Sequence, residues 1–309
     1  MRKAALAVAI LVTIFSLCGC STGNSGKMSW TGDCRDKLFA VSTTGGGEAW
    51  SVGAAGVILH YAGPGSSTSQ DAGAWNLQQS GTTIDLKGIS ALDPSHVWAV
   101  GGNGTILFYN GHQWLRQDSG TDVELCGVCA LNTSHVWACG WGETILFFDG
   151  TRWARQRSGE AVLRGITAAD ANSVWAVGSN GVILHFDGSR WAGQDSGTDS
   201  ELTSVSAVNR GDAWACGLNG TVLRFSGEWH EQRSGDEMLR GISVAGKNDV
   251  WVVGYLTQAL ATTPGSVVLR FDGRWQEQAV DPRLYPTGVS AQKAIWVAGL
   301  GGVARGEPR

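Results

Sequence analysis

Charged side chains are scarce in this sequence: Asp, Glu, Lys and Arg together account for 16% of its 309 residues. Loss of the first 20 residues, considered below, would remove two of the 23 basic residues and none of the 27 acidic ones, leaving a net charge of −6. General nucleic-acid binding needs a basic surface, so we expect no nucleic-acid partner. Low charge with 45 glycines and 43% hydrophobic residues is typical of a folded chain with many tight turns.

The amino-terminal region lacks an apolar run long enough to cross a membrane. Its run over residues 4–17 is shorter than the roughly 20 residues that a spanning helix needs. Residues 1–20 combine a basic start, this apolar run and a small-residue end, which predicts a secretory signal peptide. The segment ends in LCGC, which resembles the bacterial lipobox, so we predict that Cys20 is lipidated and becomes the mature N-terminus. Cleavage without lipidation, which gives a free secreted protein, is the alternative.

Motifs of catalysis are lacking as well. The six histidines show no metal-ligand spacing, and no nucleophile–base motif, phosphate-binding loop or isolated carboxylate pair stands out. We therefore predict a protein that is not an enzyme and that needs no cofactor and no metal.

Tryptophan is plentiful and recurs about every 40 residues, which indicates a repeat architecture. Short apolar runs bounded by Gly, Pro, Asn and Asp predict four antiparallel strands in each repeat, here called A to D. One tryptophan series falls on strand B: Trp50, Trp98, Trp137, Trp175, Trp214, Trp251 and Trp296. The other series falls on strand D: Trp30, Trp75, Trp114, Trp153, Trp191, Trp229 and Trp275. A four-stranded unit of this length is typical of a propeller blade, and we expect the tryptophans of both series to be core residues.

The two tryptophan series are out of phase at the ends of the chain. The segment after Trp296 has room for a strand C but not for a strand D, whereas Trp30 has no strands A to C before it. We therefore predict that residues 27–33 supply the outer strand of the last blade. The result is an all-β, seven-bladed propeller over residues 27–305, joined to the anchor by a tether over residues 21–26. Six or eight blades would require one of these matches to be accidental.

Strand A places a variable residue beside the mouth of the central channel, followed by a small residue. The variable residues are Phe39, Lys87, Cys126, Arg164, Thr203, Arg240 and Thr287. The small residues indicate crowding near the axis. Lys87, Arg164 and Arg240 would form a local positive patch that could hold an acidic segment of a partner or an anion; the alternative is three separately solvated side chains.

Two enlarged loops break the repeat on the same face, at residues 255–266 and 280–288. A third insertion, rich in Gly, Ser and Thr, lies at residues 63–74 between strands C and D of blade 1. Loops that depart from a repeat often carry function, although neutral drift is an equal alternative. We add Tyr255 and Tyr285, one in each loop on that face, to the candidate binding residues.

Five cysteines remain beyond the signal segment: Cys34, Cys126, Cys129, Cys139 and Cys216. An exported protein can form disulfides, and an odd count leaves at least one thiol without an intrachain partner. A Cys126–Cys139 bond within blade 3 is one prediction; buried small hydrophobic residues are the better interpretation for Cys139 and Cys216. The histidines before strand-B tryptophans and the glutamine three residues after each strand-D tryptophan are periodic, which favours structural roles.

The repeat W-A-V-G-x-x-G-x-I-L-x-F-D-G-x-x-W-x-x-Q-x-S-G, best seen over residues 174–197, resembles the bacterial propellers of the Asp-box (BNR) superfamily. It is most similar to the photosystem II stability/assembly factor-like group, which is seven-bladed and often exported or lipid-anchored. The turn here reads F-D-G-x-x-W and lacks the serine of a true Asp box, and no arginine triad of sialidases is found. Members of that group bind folding intermediates of a membrane complex, so the resemblance implies a binding scaffold.

These observations together predict a non-enzymatic, lipid-anchored propeller of the cell envelope, outside the cytoplasm. We expect a monomer that binds a membrane or envelope protein. The alternative is a glycan-binding or glycoside-hydrolysing propeller. Such an enzyme needs two carboxylates at a set separation, and Asp281 is the only acidic residue in the two enlarged loops at 255–266 and 280–288.

Overall fold

The computed structural model describes residues 29–30, 37–63, 75–256, 265–292 and 294–306. They form seven sheets, each of four antiparallel strands, arranged as a β-propeller. The predicted seven-bladed, all-β fold is thus confirmed. The predicted signal peptide, Cys20, the tether at 21–26 and Cys34 lie outside the described residues. Within the described residues, no helix is long and apolar enough to cross a membrane.

The first strand, β1 (Ser29–Trp30), precedes the seven blades, which follow in chain order. Blade 1 contains β2 (Leu38–Thr43), β3 (Ala49–Gly53), β4 (Ile58–Tyr61) and β5 (Trp75–Gln78). Blade 2 contains β6 (Leu86–Asp93), β7 (His96–Gly101), β8 (Ile106–Tyr109) and β9 (Trp114–Gln117). Blade 3 contains β10 (Leu125–Asn132), β11 (His135–Gly140), β12 (Ile145–Phe148) and β13 (Trp153–Arg157).

The remaining blades repeat this order from strand A to strand D. Blade 4 contains β14 (Leu163–Asp170), β15 (Ser173–Gly178), β16 (Ile183–Phe186) and β17 (Trp191–Gln194). Blade 5 contains β18 (Leu202–Asn209), β19 (Asp212–Gly217), β20 (Val222–Phe225) and β21 (Trp229–Arg233). Blade 6 contains β22 (Glu237–Gly246), β23 (Asp249–Leu256), β24 (Ser266–Phe271) and β25 (Trp275–Glu277). Blade 7 contains β26 (Pro286–Ala291), β27 (Ile295–Gly299) and β28 (Gly302–Gly306). Single 3-10 turns occupy Ala54–Gly56 and Ser179–Gly181.

The outer edge of blade 7 bears the amino-terminal strand β1. This strand pairs antiparallel with β28, with Ser29 opposite Arg305 and Trp30 opposite Ala304. The pairing spans two residues, and the other residues of the predicted closing strand lie outside the described ones. The full strand over 27–33 therefore stays a prediction.

The seam between blades 7 and 1 also has direct contacts. Thr287 Oγ1 donates a hydrogen bond to the Leu38 carbonyl at 2.8 Å. Thr43 Oγ1 and Ser290 Oγ lie 2.8 Å apart. Trp296 of blade 7 packs with Leu38 and other apolar residues of blade 1. Blade 7 therefore packs on blade 1 through both polar and apolar contacts.

The hydrophobic core lies between blades. Each strand-B tryptophan is at most 5% exposed, and Trp50 of blade 1, for example, packs on Leu86, Ile89 and Val97 of blade 2. Large aromatic side chains bury roughly 150–250 Å² each, so these residues stabilise the contact between one blade and the next. Their predicted role as core residues is confirmed.

A strand-C side chain covers the face of each strand-B tryptophan. The pairs across strands B and C are Trp50–His60, Trp98–Phe108, Trp137–Phe147, Trp175–His185, Trp214–Arg224, Trp251–Arg270 and Trp296–Arg305. In blades 1 to 6 the residue two before the tryptophan contacts the covering side chain, whereas in blade 7 this residue is Ala294. Arg224 is bonded to Asp212 at 3.0 Å, whereas Phe108 has the His96 ring as its neighbour, at 5.9 Å between centroids. His96 is thus a repeat residue, as predicted.

A second periodic contact joins the inner strands of neighbouring blades. A side chain near the middle of strand A accepts a hydrogen bond from a backbone N–H in strand A of the next blade. The acceptor is Ser90 Oγ for Ala130 at 3.0 Å and Cys129 Sγ for Ala168 at 3.3 Å. Cys129 therefore replaces a serine of the repeat and packs as a structural residue.

Candidate functional site

The ring has two faces that differ in the loops they bear. We call the face with the B–C turns and the D–A links the upper face, and the face with the A–B and C–D turns the lower face. At the centre of the upper face lies a cavity of 190 Å³. The variable strand-A residues all line this cavity, and together we call them the mouth: Phe39, Lys87, Cys126, Arg164, Thr203, Arg240 and Thr287.

Each mouth residue lies at a register shift in its blade. In blade 4, Leu163 pairs with Gly178 and Gly165 pairs with Val177, so Arg164 between them has no partner on strand B. The same shift occurs at the start of strand A in all seven blades. A bulge of this kind changes the direction of a side chain and is common beside functional sites. It explains why seven side chains, one from each blade, converge on one opening.

The residues that follow the mouth are small because adjacent inner strands approach closely. A Cβ on Gly165 would lie 3.0 Å from Ser204 Cα, and one on Gly241 would lie 3.1 Å from Gly288 Cα. Such contacts are tighter than ordinary van der Waals packing. The predicted crowding near the axis is therefore confirmed.

Two of the three predicted cations are paired with carboxylates. Lys87 Nζ lies 3.0 Å from Asp85 Oδ2 and 4.3 Å from the centroid of the Phe39 ring. Arg164 Nε lies 2.9 Å from Glu201 Oε1. These acids precede strand A of blades 2 and 5, so charge at the mouth is mixed. The sequence-based expectation of a simple positive patch is corrected in this respect.

Asp85 shows how this pairing is fixed. The Ala55 N–H donates to Asp85 Oδ1 at 2.9 Å, and this bond, followed by the Lys87 ammonium, lowers the pKa of the Asp85 carboxyl. Asp85 therefore stays ionised and also caps the B–C turn of blade 1. A carboxylate at the mouth thus links two blades as well as neutralising a cation.

Arg240 differs from the other two cations. Its Nη2 donates to the Tyr255 hydroxyl at 3.2 Å, and its Cζ lies 5.7 Å from the centroid of the Tyr255 ring. Tyr255 in turn meets Tyr285 edge-on, with centroids 6.3 Å apart. The structure therefore brings three of the five predicted binding residues into one cluster, while Lys87 and Arg164 lie elsewhere around the mouth.

The two enlarged loops on the upper face are neighbours. Ser266 Oγ donates to the Pro282 carbonyl at 3.0 Å, and the Tyr285 N–H donates to Ser266 Oγ at 3.1 Å. The predicted adjacency holds for the described parts of these loops. Residues 257–264, and residues 64–74 of the blade 1 insertion, lie outside the described residues.

Trp141 is a surface residue that the sequence does not single out as functional. It lies in the B–C turn of blade 3, on the upper face, and is 49% exposed. Leu300, in the corresponding turn of blade 7, is 37% exposed. The available signal was that Trp141 belongs to neither tryptophan series.

The described cysteines are all free thiols: Cys126, Cys129, Cys139 and Cys216. The predicted Cys126–Cys139 disulfide is therefore wrong. Burial raises the pKa of the Cys126 thiol to about 11 and that of Cys216 to about 12. Thiols held protonated in this way are poor nucleophiles. Cys139 and Cys216 are fully buried, in agreement with the prediction that they pack as small hydrophobic residues.

The periodic glutamines join blades at the outer rim. Trp153 Nε1 donates to Gln117 Oε1 at 2.8 Å, and Trp191 Nε1 donates to Gln156 Oε1 at 3.0 Å. Each bond joins strand D of one blade to strand D of the next, which confirms a structural role for these two glutamines. Among the described residues, no group of three or more His, Cys, Asp or Glu side chains is placed to hold a metal ion.

Asp281, the acidic residue considered for glycoside hydrolysis, forms an ion pair with Arg283 at 2.7 Å. Hydrogen bonding from Arg283 lowers the pKa of the Asp281 carboxyl. A general acid in a glycosidase needs a raised pKa. The environment of Asp281 therefore favours a structural ion pair in the link between blades 6 and 7.

No protein-family model matches the sequence, and no curated protein is significantly similar to it. The Asp-box assignment therefore stays a prediction.

Several solved structures share the fold. A structure described as YCF48 bound to a D1 peptide is 15% identical with a TM-score of 0.69, over 93% of this chain and 96% of that one. The WD40 propeller domain of Doa1 is 13% identical with a TM-score of 0.74, over 92% of this chain and 97% of that one. Virginiamycin B lyase from Staphylococcus aureus is 13% identical with a TM-score of 0.67, over 89% of this chain and 96% of that one. At these identities the likeness concerns fold alone: the chain is a seven-bladed β-propeller whose variable residues converge on the upper face.

Proposed function

We propose that this protein is a lipid-anchored scaffold of the cell envelope that binds a protein partner with its upper face. The observation that carries the proposal is the mouth, where one side chain from each blade is turned towards a common opening by a bulge. The inner faces of the blades share a common pattern of tryptophan and strand-A contacts, whereas at the mouth the side chains differ in charge, size and polarity. Such variation on a rigid repeat is typical of a binding surface.

Two further observations support a protein as the ligand. Trp141 and Leu300 are exposed on the same face, and exposed aromatic residues are enriched in protein interfaces. YCF48, which has a similar fold, has been solved with a D1 peptide. The described acids do not favour glycoside hydrolysis. Asp85 and Glu201 are paired with cations of the mouth, and the pKa of Asp281 in the enlarged loop is lowered, not raised.

The direction of β1 gives the anchored protein an orientation. Strand β28 runs from the upper to the lower face, and β1 is antiparallel to it, so the chain enters β1 from the lower face. Six residues, 21–26, separate Cys20 from the predicted strand, and the seven steps from Cys20 to residue 27 reach at most about 25 Å. In the proposed anchored form, the lower rim of blade 7 lies close to the bilayer and the upper face is directed away from it.

Site-specific photo-crosslinking in cells tests the binding face. A benzoylphenylalanine residue would replace Trp141 on the upper face or, as the matched control, the exposed Thr151 on the lower face of the same blade. We expect a discrete adduct with one protein from position 141 and none from position 151. Combining the first probe with Lys87→Glu, Arg164→Glu and Arg240→Glu should remove that adduct. Equal adducts from both faces, or none from the upper face, would contradict the proposal.

Metabolic labelling with a fatty-acid analogue tests the anchor separately. The wild-type protein should incorporate the label and sediment with membranes, whereas Cys20→Ala should lose both properties. A Cys18→Ala variant is the matched control and should behave like the wild type. Membrane association that survives Cys20→Ala would argue for another mode of attachment.

A further inference from the structure

Carboxylates supplied by the protein itself satisfy two of the three mouth cations. Arg164 of blade 4 contacts Glu201, which stands directly before strand A of blade 5. Lys87 contacts Asp85, which stands at the same repeat position before strand A of its own blade. In blades 2 and 5 this position thus carries an acid that meets a mouth cation. The residue at this position in blades 2 and 5 can therefore be compared with its equivalent beside Arg240.

The same position in blade 7 is occupied by Tyr285, directly before Pro286. Arg240 of blade 6 therefore meets a tyrosine pair where Arg164 meets a glutamate. In the described part of the chain no carboxylate oxygen lies within 4.0 Å of the Arg240 guanidinium. The guanidinium has five N–H donors, and the Tyr255 hydroxyl accepts from Nη2.

Tyr285 is held in a conformation that is unusual for its type. Its φ is +48°, in the left-handed region that bulky residues rarely adopt. The surroundings fix it there, because the Leu300 N–H donates to the Tyr285 carbonyl at 3.2 Å and its own N–H donates to Ser266 Oγ. Backbone conformations of this kind cluster at binding sites. Here the conformation accompanies an edge-on contact between the Tyr285 and Tyr255 rings beside Arg240.

We propose that Arg240, Tyr255 and Tyr285 form a subsite for a carboxylate of the bound polypeptide. This carboxylate takes, for Arg240, the part that Glu201 takes for Arg164. A guanidinium binds a carboxylate through two parallel hydrogen bonds, and the tyrosine hydroxyls supply further donors. The proposal rests on the proposed function, because it assigns the chemistry by which the upper face recognises its partner. An acidic side chain and a free chain terminus share this chemistry.

Fluorine NMR of the full-length protein labelled with 3-fluorotyrosine provides the test. The chain contains four tyrosines: two belong to the subsite, while Tyr61 and Tyr109 lie at the lower ends of strands C and serve as internal controls. Three nonapeptides, uncharged apart from the groups named next, serve as probes. The first carries one internal glutamate and a blocked C-terminus, the second has glutamine there and a free C-terminal carboxylate, and the third has glutamine and a blocked C-terminus.

We expect the resonances of Tyr255 and Tyr285 to shift with the first or the second peptide and to stay in place with the third. Response to the first peptide alone identifies a side-chain carboxylate, and response to the second alone identifies a chain terminus. The Tyr61 and Tyr109 resonances should not move. If no peptide with a carboxylate shifts the subsite resonances, or if the third peptide shifts them equally, the assignment is wrong.

Three variants sharpen the test. Arg240→Gln should weaken binding of the responding peptide by about 10- to 100-fold, as expected for one charged hydrogen-bonding group. Arg164→Gln, the matched control at a cation already paired with Glu201, should change it less than twofold. Tyr285→Glu places an acid at the reference position and should block binding as well. Equal losses for Arg240→Gln and Arg164→Gln would indicate diffuse electrostatic attraction and overturn the proposal. Unchanged Tyr61 and Tyr109 resonances show that each variant is folded.

The subsite and the proposed function can fail separately. A crosslink at position 141 that persists while the tyrosine resonances ignore every carboxylate would leave the binding face intact and reject the subsite. Tyrosine resonances that respond while no crosslink forms would reject the partner-binding function and retain the carboxylate subsite.

Discussion

The strand-C side chain that covers each strand-B tryptophan allows a sharp test of how neighbouring residues stabilise a blade. In blade 5 the cover is Arg224, 4.9 Å from the Trp214 ring, paired with Asp212 at 3.0 Å. In blade 2 the equivalent residues are Phe108 and His96, with ring centroids 5.9 Å apart. If each pair is one interchangeable unit, Asp212→His together with Arg224→Phe should convert the blade 5 pair into the blade 2 pair at little cost.

The single substitutions should be costly because each leaves a half-buried group without its partner. The side chains of Asp212 and Arg224 are 13% and 25% exposed. This ion pair is therefore intermediate between exposed pairs, which contribute about 0.2–1 kcal/mol, and buried pairs, whose disruption costs about 3–5 kcal/mol. We expect each single variant to lower the free energy of unfolding by about 2 kcal/mol. The double variant should lie within about 1 kcal/mol of the wild type. The coupling energy is then about 3 kcal/mol, at the upper end for residues in contact.

Equilibrium unfolding in urea, followed by tryptophan fluorescence, measures all four proteins of this cycle. An unchanged slope with urea concentration would show that the changes concern stability. The reciprocal exchange in blade 2, His96→Asp with Phe108→Arg, is the matched control and should show coupling of the same sign. Additive losses in both cycles would refute the idea that the two positions form a unit.

Three further outcomes follow from the described contacts. Gly178→Ala should lower the free energy of unfolding by about 3 kcal/mol, because its Cβ would lie 2.1 Å from the Val162 carbonyl oxygen; Gly246→Ala, with nothing within 4 Å, should be neutral in the same urea titration. Cys129→Ser should keep full stability, since serine fills this position in most blades, and loss of more than about 1 kcal/mol would contradict the assigned role. Burial lowers the pKa of His185 from 6.5, so on acidification the unfolded chain binds this proton before the folded one does. Stability is therefore lost as the pH falls below 6.5. His185→Phe should lose less stability between about pH 7 and 5 than the wild type, and an equal loss would contradict this origin.

Most of the fold could be predicted from the sequence because its signals recur. Seven repeats of a tryptophan followed by a glycine-rich turn establish blade number and core residues without any long-range information. The crowding of the inner strands was also predictable, since Gly165 and its equivalents stay small where their neighbours vary. These features depend on local sequence and on the repeat length, and both are visible in the sequence itself.

The chemistry of the mouth could be predicted only in part. Sequence spacing brings Lys87, Arg164 and Arg240 to one opening, but Asp85 and Glu201 resemble ordinary loop acids until the bulged strands bring them into contact with these cations. The bulges themselves leave no clear mark in the sequence, because each requires only one extra residue without a partner on strand B. Which cation meets which carboxylate depends on how the strands of neighbouring blades are placed in space, and the repeat length of the sequence does not specify this.

A repeat protein also shows where function departs from structure, because each blade is a control for the others. The cover of each tryptophan changes from blade to blade, and in blades 2 and 5 the residue two before the tryptophan changes with it: His96 accompanies Phe108, and Asp212 accompanies Arg224. Arg240 differs, because the position on the next blade that holds Glu201 for Arg164 holds Tyr285 for Arg240. An acid there would pair with Arg240 as Glu201 pairs with Arg164. A cation with no carboxylate partner among the described residues, beside two ordered tyrosines, is therefore better explained by a carboxylate that arrives with a ligand than by the folding of the ring.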